Sequence, residues 1–278
     1  MRLAQIKAAL EHCGVRPSRA LGQNFLCDAN MARKIVRAAA IRPGDSVLEV
    51  GPGLGALTAI LIEAGARVRA IEKDRRLAAA LRQRFGGADN LELIEADAAA
   101  FLRRSGADWD GWKLVSNLPY SAASPILAEL ALSPRPPLAM VATVQKEVAD
   151  RIRAAPGTKD FGVLTALLRF RFRPVQAFPI PPQCFYPRPD VDSVCLRLER
   201  LERPLAPPSL LPAACRLVKK VFSQRRKKLA KLLRDEAPPA RLRRILEEAG
   251  ISEDARPEQA TPEQYAALAR ALSREESP

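Results

Sequence analysis

The chain has 278 residues, with 45 Lys and Arg against 31 Asp and Glu, a net charge of +14 at neutral pH. Its 47% hydrophobic and 27% charged residues are ordinary for a chain with a sizeable core, and they exclude wholesale disorder, a collagen-like repeat or a coiled-coil rod. No apolar run approaches the roughly 18 residues that cross a bilayer, so no membrane span is expected, and the start MRLAQIKAALEHCG is too polar for a signal peptide.

In chain order, Asp28 is placed to N-cap a helix over about residues 29–40. SVLEV (46–50) reads as a strand, followed by a glycine loop and a helix over 55–64. RVRAIE (67–72) is a second strand, with a helix over 74–85 behind it. LELIEAD (91–97), WKLVSN (112–117) and LAMVATV (138–144) are further strands, with a helix over 122–132 between the last two. Such alternation with short connections predicts a predominantly parallel sheet covered by helices, an α/β, Rossmann-like architecture. RFRPVQAFPI (171–180) and VDSVCLRLE (191–199) have no helical pattern between them and are expected to form an antiparallel pair. After the proline-dense PLAPPSLLP (204–212) apolar residues fall only at helical spacings, as in Leu217 and Val221, then Leu229, Leu232 and Leu233. Two domains follow from this: 1–203, an α/β domain with an N-terminal arm, and 204–278, small and all-helical.

The charge is unevenly placed. Residues 41–150 carry 13 basic and 14 acidic groups, whereas 1–40, 151–203 and 204–278 are each +5. A neutral centre flanked by basic segments points to a polyanion, nucleic acid ahead of a membrane surface. Five scattered cysteines (Cys13, Cys27, Cys184, Cys195, Cys215) without a CxxC pair read as reduced thiols of a cytoplasmic protein, not as a disulfide or metal framework.

Glu49-Val-Gly51-Pro-Gly53-Leu-Gly55 stands where the first strand of the sheet runs into its helix. Glycines there allow a tight turn and the close approach of a ligand. Glu72 ends the next strand, where a carboxylate can accept both hydroxyls of a ribose, and Asp97 ends the third, where it can meet an adenine edge. Gly51, Gly53 and Ala56 also satisfy a dinucleotide-binding pattern, so NAD and S-adenosylmethionine both remain possible on this loop alone. Glu49 favours S-adenosylmethionine, a cofactor with no pyrophosphate to be cradled. So does Asn117-Leu118-Pro119-Tyr120 after the fourth strand. An exocyclic base amine is a poor nucleophile because its lone pair is conjugated into the ring. The Asn117 side-chain oxygen and the Leu118 carbonyl could accept both amine hydrogens, Pro119 would stiffen the turn, and Tyr120 would offer a face for a flipped base.

With these blocks in place, the sequence resembles the ribosomal RNA adenine dimethyltransferases, in their bacterial small-subunit (kasugamycin-resistance) branch. The resemblance covers about residues 16–235. It is carried by Arg19-Ala-Leu-Gly22-Gln23-Asn24-Phe25-Leu26, Glu49 to Gly55, Asn117 to Tyr120, Gln145-Lys146-Glu147-Val148-Ala149, Phe185-Tyr-Pro187-Arg-Pro189-Asp-Val191-Asp-Ser193 and Phe222-Ser-Gln-Arg225-Arg226-Lys227. It implies a class I methyltransferase domain using S-adenosylmethionine, with Asn24, Leu26, Glu49, Gly51, Gly53, Glu72, Asp97 and Asn117 at the cofactor. It implies no metal, and two methyls on each of two adjacent adenosines near the 3′ end of 16S rRNA in an immature small ribosomal subunit. Ala20-Leu21 departs from the family's usual Arg or Lys followed by Phe, which touches substrate grip more than cofactor contact. A large-subunit rRNA methylase of the erythromycin-resistance type shares the cofactor and Asn-X-Pro-aromatic blocks. A non-catalytic nucleic-acid-binding assembly or transcription factor is the reading from another class.

Residues 216–234 hold nine basic groups and no acidic one. Arg225, Arg226, Lys227 and Lys228 are its densest part and the expected phosphate contacts. Phe185 is expected either to stack on the target base opposite Tyr120 or to fill core. His12, the single histidine, is expected to face solvent, Trp109 and Trp112 to be structural, and nothing demands more than a monomer.

Overall fold

The computed structural model describes residues 1–18 and 22–274. The first helix, α1 (Leu3–His12), is followed by a short strand β1 (Phe25–Leu26) and by α2 (Ala29–Ala38). Asp28 caps α2, its carboxylate accepting from the Met31 N–H at 2.7 Å. Then come β2 (Ser46–Val50), α3 (Ala56–Glu63), β3 (Arg67–Glu72), α4 (Arg75–Phe85), β4 (Leu91–Glu95), α5 (Ala98–Ser105), β5 (Trp112–Asn117), α6 (Ala123–Leu132) and β6 (Ala139–Gln145). The chain continues through α7 (Lys146–Arg153), α8 (Val163–Arg169), β7 (Phe172–Ile180), β8 (Phe185–Tyr186), β9 (Ser193–Arg200), α9 (Leu211–Phe222), α10 (Leu229–Leu232), α11 (Pro239–Glu248) and α12 (Pro262–Leu272).

Seven strands form one sheet in the order β4-β3-β2-β5-β6-β9-β7, parallel from β4 to β6 and antiparallel between β6 and β9. Parallel strands need helices on both faces, and their residues are buried accordingly. Val47, Val115 and Val141 pack with Ala32, Ile35 and Val36 of α2 and with Leu57 and Leu61 of α3. Their chain neighbours Leu48, Leu114 and Met140 point the other way and are equally buried. β1 and β8 make a separate antiparallel pair. Its presence explains why the stretch between β7 and β9 is not a simple hairpin loop.

The chain divides into two compact units. Residues 1–149 and 174–200 form the α/β unit, and 150–173 with 201–278 form a helical one. Residues 150–173, placed in the first domain on sequence grounds, therefore cluster with the helices beyond 200. The reason is apolar: Phe161 of this stretch lies 6.2 Å from the Phe222 ring, which lies 6.0 Å from fully buried Tyr265. Among the described residues no helix is long and apolar enough to cross a membrane.

Candidate active site

β2 and β5 are neighbours in the sheet although β3, β4 and their helices separate them in sequence. Winding reverses between them, and a crevice opens beyond their carboxyl ends, where α/β sheets bind ligands. The crevice lies wholly within the α/β unit. Asn24, Leu26, Glu49, Gly51, Gly53, Glu72, Asp97 and Asn117 to Tyr120 all line it. Arg19, Ala20 and Leu21 of the N-terminal motif lie outside the described residues.

The glycine loop is shaped by close approach. Gly51 has φ +65°, and a Cβ there would stand 3.1 Å from the Pro119 ring. Gly53 has φ +60°, with the Phe25 ring 3.1 Å from where its Cβ would be. Both positions combine a left-handed backbone with a Cβ approach tighter than ordinary contact. Glu72 reaches into the same loop: one carboxylate oxygen accepts from the Gly53 N–H at 3.1 Å and the other from the Asp74 N–H at 2.9 Å. A loop N–H that a pyrophosphate would require is thus already bonded to a carboxylate. Beside it Glu49 is 1% exposed and accepts from the Thr58 hydroxyl at 2.7 Å. Burial pushes the Glu49 carboxyl up to about 8, opposed by the Thr58 hydrogen bond and reinforced by the nearby Glu72 charge. Glu72 is also raised, mainly by burial. With the Gly53 N–H already taken by Glu72, the loop offers a pyrophosphate one donor fewer, which weighs against the dinucleotide reading.

Asp97 sits at the crevice edge with both oxygens engaged, one capping α5 through the Ala100 N–H at 2.9 Å and the other taking Lys73 Nζ at 3.0 Å. The Ala100 bond is the main reason its carboxyl lies below the ordinary range, with Lys73 adding to it.

Asn117 ends β5. Its Nδ2 donates to the Asn24 carbonyl at 2.8 Å, across 93 residues of sequence, which fixes which end of the amide faces where. Its Oδ1 is buried and, among the described residues, has no hydrogen-bond partner. A buried, unpartnered acceptor costs about 1–3 kcal/mol, so it marks a place where a donor is awaited. The following residues are held from several sides. The Leu118 N–H donates to the Thr143 carbonyl at 3.3 Å, Ala122 N–H closes a turn onto the Pro119 carbonyl at 2.9 Å, and Gly22 presses on the loop so closely that a Cβ would stand 2.8 Å from the Tyr120 nitrogen. Tyr120 is half-buried, and burial raises its phenol above the usual range.

Of the two readings of Phe185, stacking or core, the structure supports the core one. Phe185 is 3% exposed and packs in the core with Leu26, Ile35 and Cys184, because β8 turns it inward against β1. It does not line the crevice and is not available to stack on a base. One feature was missed: α1 closes one side of the crevice through Met1 and Ile6. Ile6 and Leu10 pack on Phe25, Leu54 and Leu77, and Arg76 bonds the Gly14 carbonyl at 2.6 Å. The i, i+4 spacing of Ile6 and Leu10 was the available signal.

In the helical unit, α9 ends at Phe222 and the Arg225–Lys228 run occupies the turn before α10. The four residues are not equivalent. Arg225 pairs with Glu258 at 3.4 Å and donates to the Thr158 carbonyl at 3.1 Å, and Lys228 pairs with Asp254. Arg226 and Lys227 are exposed and have no ion pair among the described residues. His12 is exposed, while Trp109 is buried edge-on to Trp112 at 5.3 Å. Among the described residues no group of three or more His, Cys, Asp or Glu is placed to hold a metal ion.

The sequence profile of a family described as ribosomal RNA adenine dimethylase matches residues 16–274. The chain is 41% identical over 265 residues to a ribosomal RNA small subunit methyltransferase A from Opitutus terrae, covering 93% of this chain and 94% of the relative. It is 38% identical over 275 residues to the protein of the same name from Moorella thermoacetica, covering 95% and 96%. Among solved structures, the 23S rRNA methyltransferase ErmE aligns with a TM-score of 0.66 at 30% identity over 90% of this chain and 100% of that one. A dimethyladenosine transferase from Plasmodium falciparum aligns with a TM-score of 0.70 at 24% identity over 88% and 95%, a likeness of fold. A parallel sheet with its crevice at the β2–β5 switch, an acidic floor and an orphaned Asn acceptor on an Asn-Leu-Pro-Tyr turn agree with that match, and the chain belongs to the ribosomal RNA adenine dimethylase family.

Proposed function

We propose that this chain transfers methyl groups from S-adenosylmethionine to the exocyclic amines of two adjacent adenosines near the 3′ end of 16S rRNA, two methyls to each. It would act as a cytoplasmic monomer on an immature small ribosomal subunit. The observation that carries the reading is the buried Asn117 Oδ1, without a partner among the described residues, its amide held in place by the Asn24 carbonyl. The cofactor supplies an electrophilic methyl group. Glu72, the Gly51–Gly53 loop, Asn24 and Leu26 would hold it, with Asp97 at the far edge.

Activation of the amine falls to the chain. Asn117 Oδ1 and the Leu118 carbonyl accept the two amine hydrogens, which favours a pyramidal nitrogen whose lone pair has left the ring. The acceptors are oriented before substrate arrives, so no reorganisation is needed as positive charge develops on the nitrogen. No dedicated base is required, because the amine attacks while neutral and releases its proton afterwards. Tyr120 offers the flipped base a stacking face. Exposed Arg226 and Lys227 contribute phosphate contacts, which add affinity and salt dependence but little sequence choice.

The test is methyl transfer from labelled S-adenosylmethionine to small subunits lacking the modification, with nucleoside mass spectrometry and primer extension over both rRNAs. Dimethyladenosine at neighbouring 16S positions is expected. A mark confined to large-subunit RNA overturns the substrate, and persistent absence of transfer with intact RNA binding favours the assembly-factor reading.

A further inference from the structure

Ser193 opens β9 at the end of the Phe185–Ser193 sequence block. It is completely buried, and its Oγ shares a hydrogen bond with the Tyr120 hydroxyl at 2.5 Å, spanning 73 residues of sequence. Its backbone is pinned by the β6–β9 ladder, opposite Gln145. The loop from Asn117 to Ala122 is held through its backbone by Thr143 and Pro119 and crowded by Gly22. The Tyr120 phenol is the point at which one of its side chains is tied to the antiparallel half of the sheet. A half-buried aromatic free at its tip would rock about its side-chain torsions, and a base stacked on it would rock too.

Resting on the methyltransferase reading above, we infer that Ser193 is a positioning residue of this site: its bond to the Tyr120 hydroxyl sets the angle of the ring on which the target base lies. The amine must meet both the Asn117 and Leu118 acceptors and the methyl group, so a small tilt of the ring is felt as lost rate more than as lost binding. Ser193 touches neither substrate nor cofactor, and it does not line the crevice.

The experiment compares Ser193→Ala, Tyr120→Phe, the double variant and Tyr120→Ala, using small subunits that lack the modification and labelled S-adenosylmethionine. Cofactor affinity is measured separately by calorimetry. Each single variant should lower kcat by about three- to tenfold, the size of one hydrogen bond, with KM for the subunit and Kd for the cofactor within about twofold of the parent. The double variant should be no slower than either single one, because both remove the same bond. Tyr120→Phe keeps the ring on a half-buried residue, so the inference stays testable should Ser193→Ala fold poorly. An unchanged kcat in Tyr120→Phe, additive losses in the double variant, or a cofactor Kd that weakens in step with kcat would each overturn it. Tyr120→Ala tests the underlying reading: if it leaves kcat intact, base stacking on Tyr120 is wrong, whereas a large loss there beside a silent Tyr120→Phe sinks the Ser193 inference alone.

Discussion

Replacing Asn117 by Ala should move stability and catalysis by very different amounts. Among the described residues the side chain makes one hydrogen bond, Nδ2 to the Asn24 carbonyl at 2.8 Å, and leaves Oδ1 buried without a partner. Losing the bond costs about 1 kcal/mol, and removing an orphaned acceptor returns about 1–3 kcal/mol. The balance is neutral to stabilising by about 1–2 kcal/mol, a rise in Tm of at most a few degrees for a chain of this size. Turnover should behave otherwise. A preorganised group aimed at charge that develops in the transition state contributes about 3 kcal/mol, so kcat should fall roughly a hundredfold or more. Initial rates of methyl transfer to unmodified small subunits give kcat, calorimetry gives cofactor affinity, and a thermal melt gives stability. A kcat within threefold of the parent at unchanged cofactor affinity would remove Asn117 from the mechanism. A melt lowered by ten degrees would refute the reading of its oxygen as an unsatisfied group.

The buried Glu49 predicts a pH effect with a defined sign. Its folded pKa is raised from 4.5 to about 8, so its contribution to stability is complete below the unfolded value and is lost as pH rises from about 5 through 8. Glu49→Gln keeps a partner for Thr58 and carries no charge; denaturation in urea should show it gaining stability over the parent, on the order of a few kcal/mol, between pH 5 and 9. A constant difference across that range would mean Glu49 is not held protonated. Gly22→Ala combines φ +64° with a Cβ 2.8 Å from the Tyr120 nitrogen, so it should cost about 1–3 kcal/mol of stability and slow transfer, read by melt and initial rate; a silent variant would show that the loop yields. Arg226→Ala with Lys227→Ala should weaken subunit binding and lower the salt slope by about two, at unchanged stability. Arg225→Ala should instead destabilise the helical unit through the lost Glu258 and Thr158 contacts, and equal salt slopes for the Arg226–Lys227 variant and the parent would place the RNA elsewhere.

The local parts of this molecule were legible because they rest on short-range rules. Strands 46–50, 67–72 and 112–117 were read to the residue, since each is a short apolar run bounded by turn residues. The Asp28 cap and the glycine loop follow from side-chain and backbone stereochemistry that neighbouring residues dictate. Even the two acids, Glu49 and Glu72, could be placed at strand ends from spacing alone. What spacing cannot carry is the identity of the group across the gap. Phe185 and Tyr120 are both aromatics within two residues of a proline, yet β8 turns one into the core while the other lines the crevice. Arg225 and Arg226 are neighbours in one basic run, yet Glu258 takes only the first. Residues 150–173 look like part of the sheet domain until Phe161 finds Phe222. The amide of Asn117 is oriented by a carbonyl 93 residues away, and Tyr120 by a hydroxyl 73 residues away. Periodicity and capping specify which face of an element is apolar and where the element stops. Which surface meets that face, and hence which polar atoms are left without partners, is decided by contacts between distant segments that form only when the sheet closes its order and the chain packs.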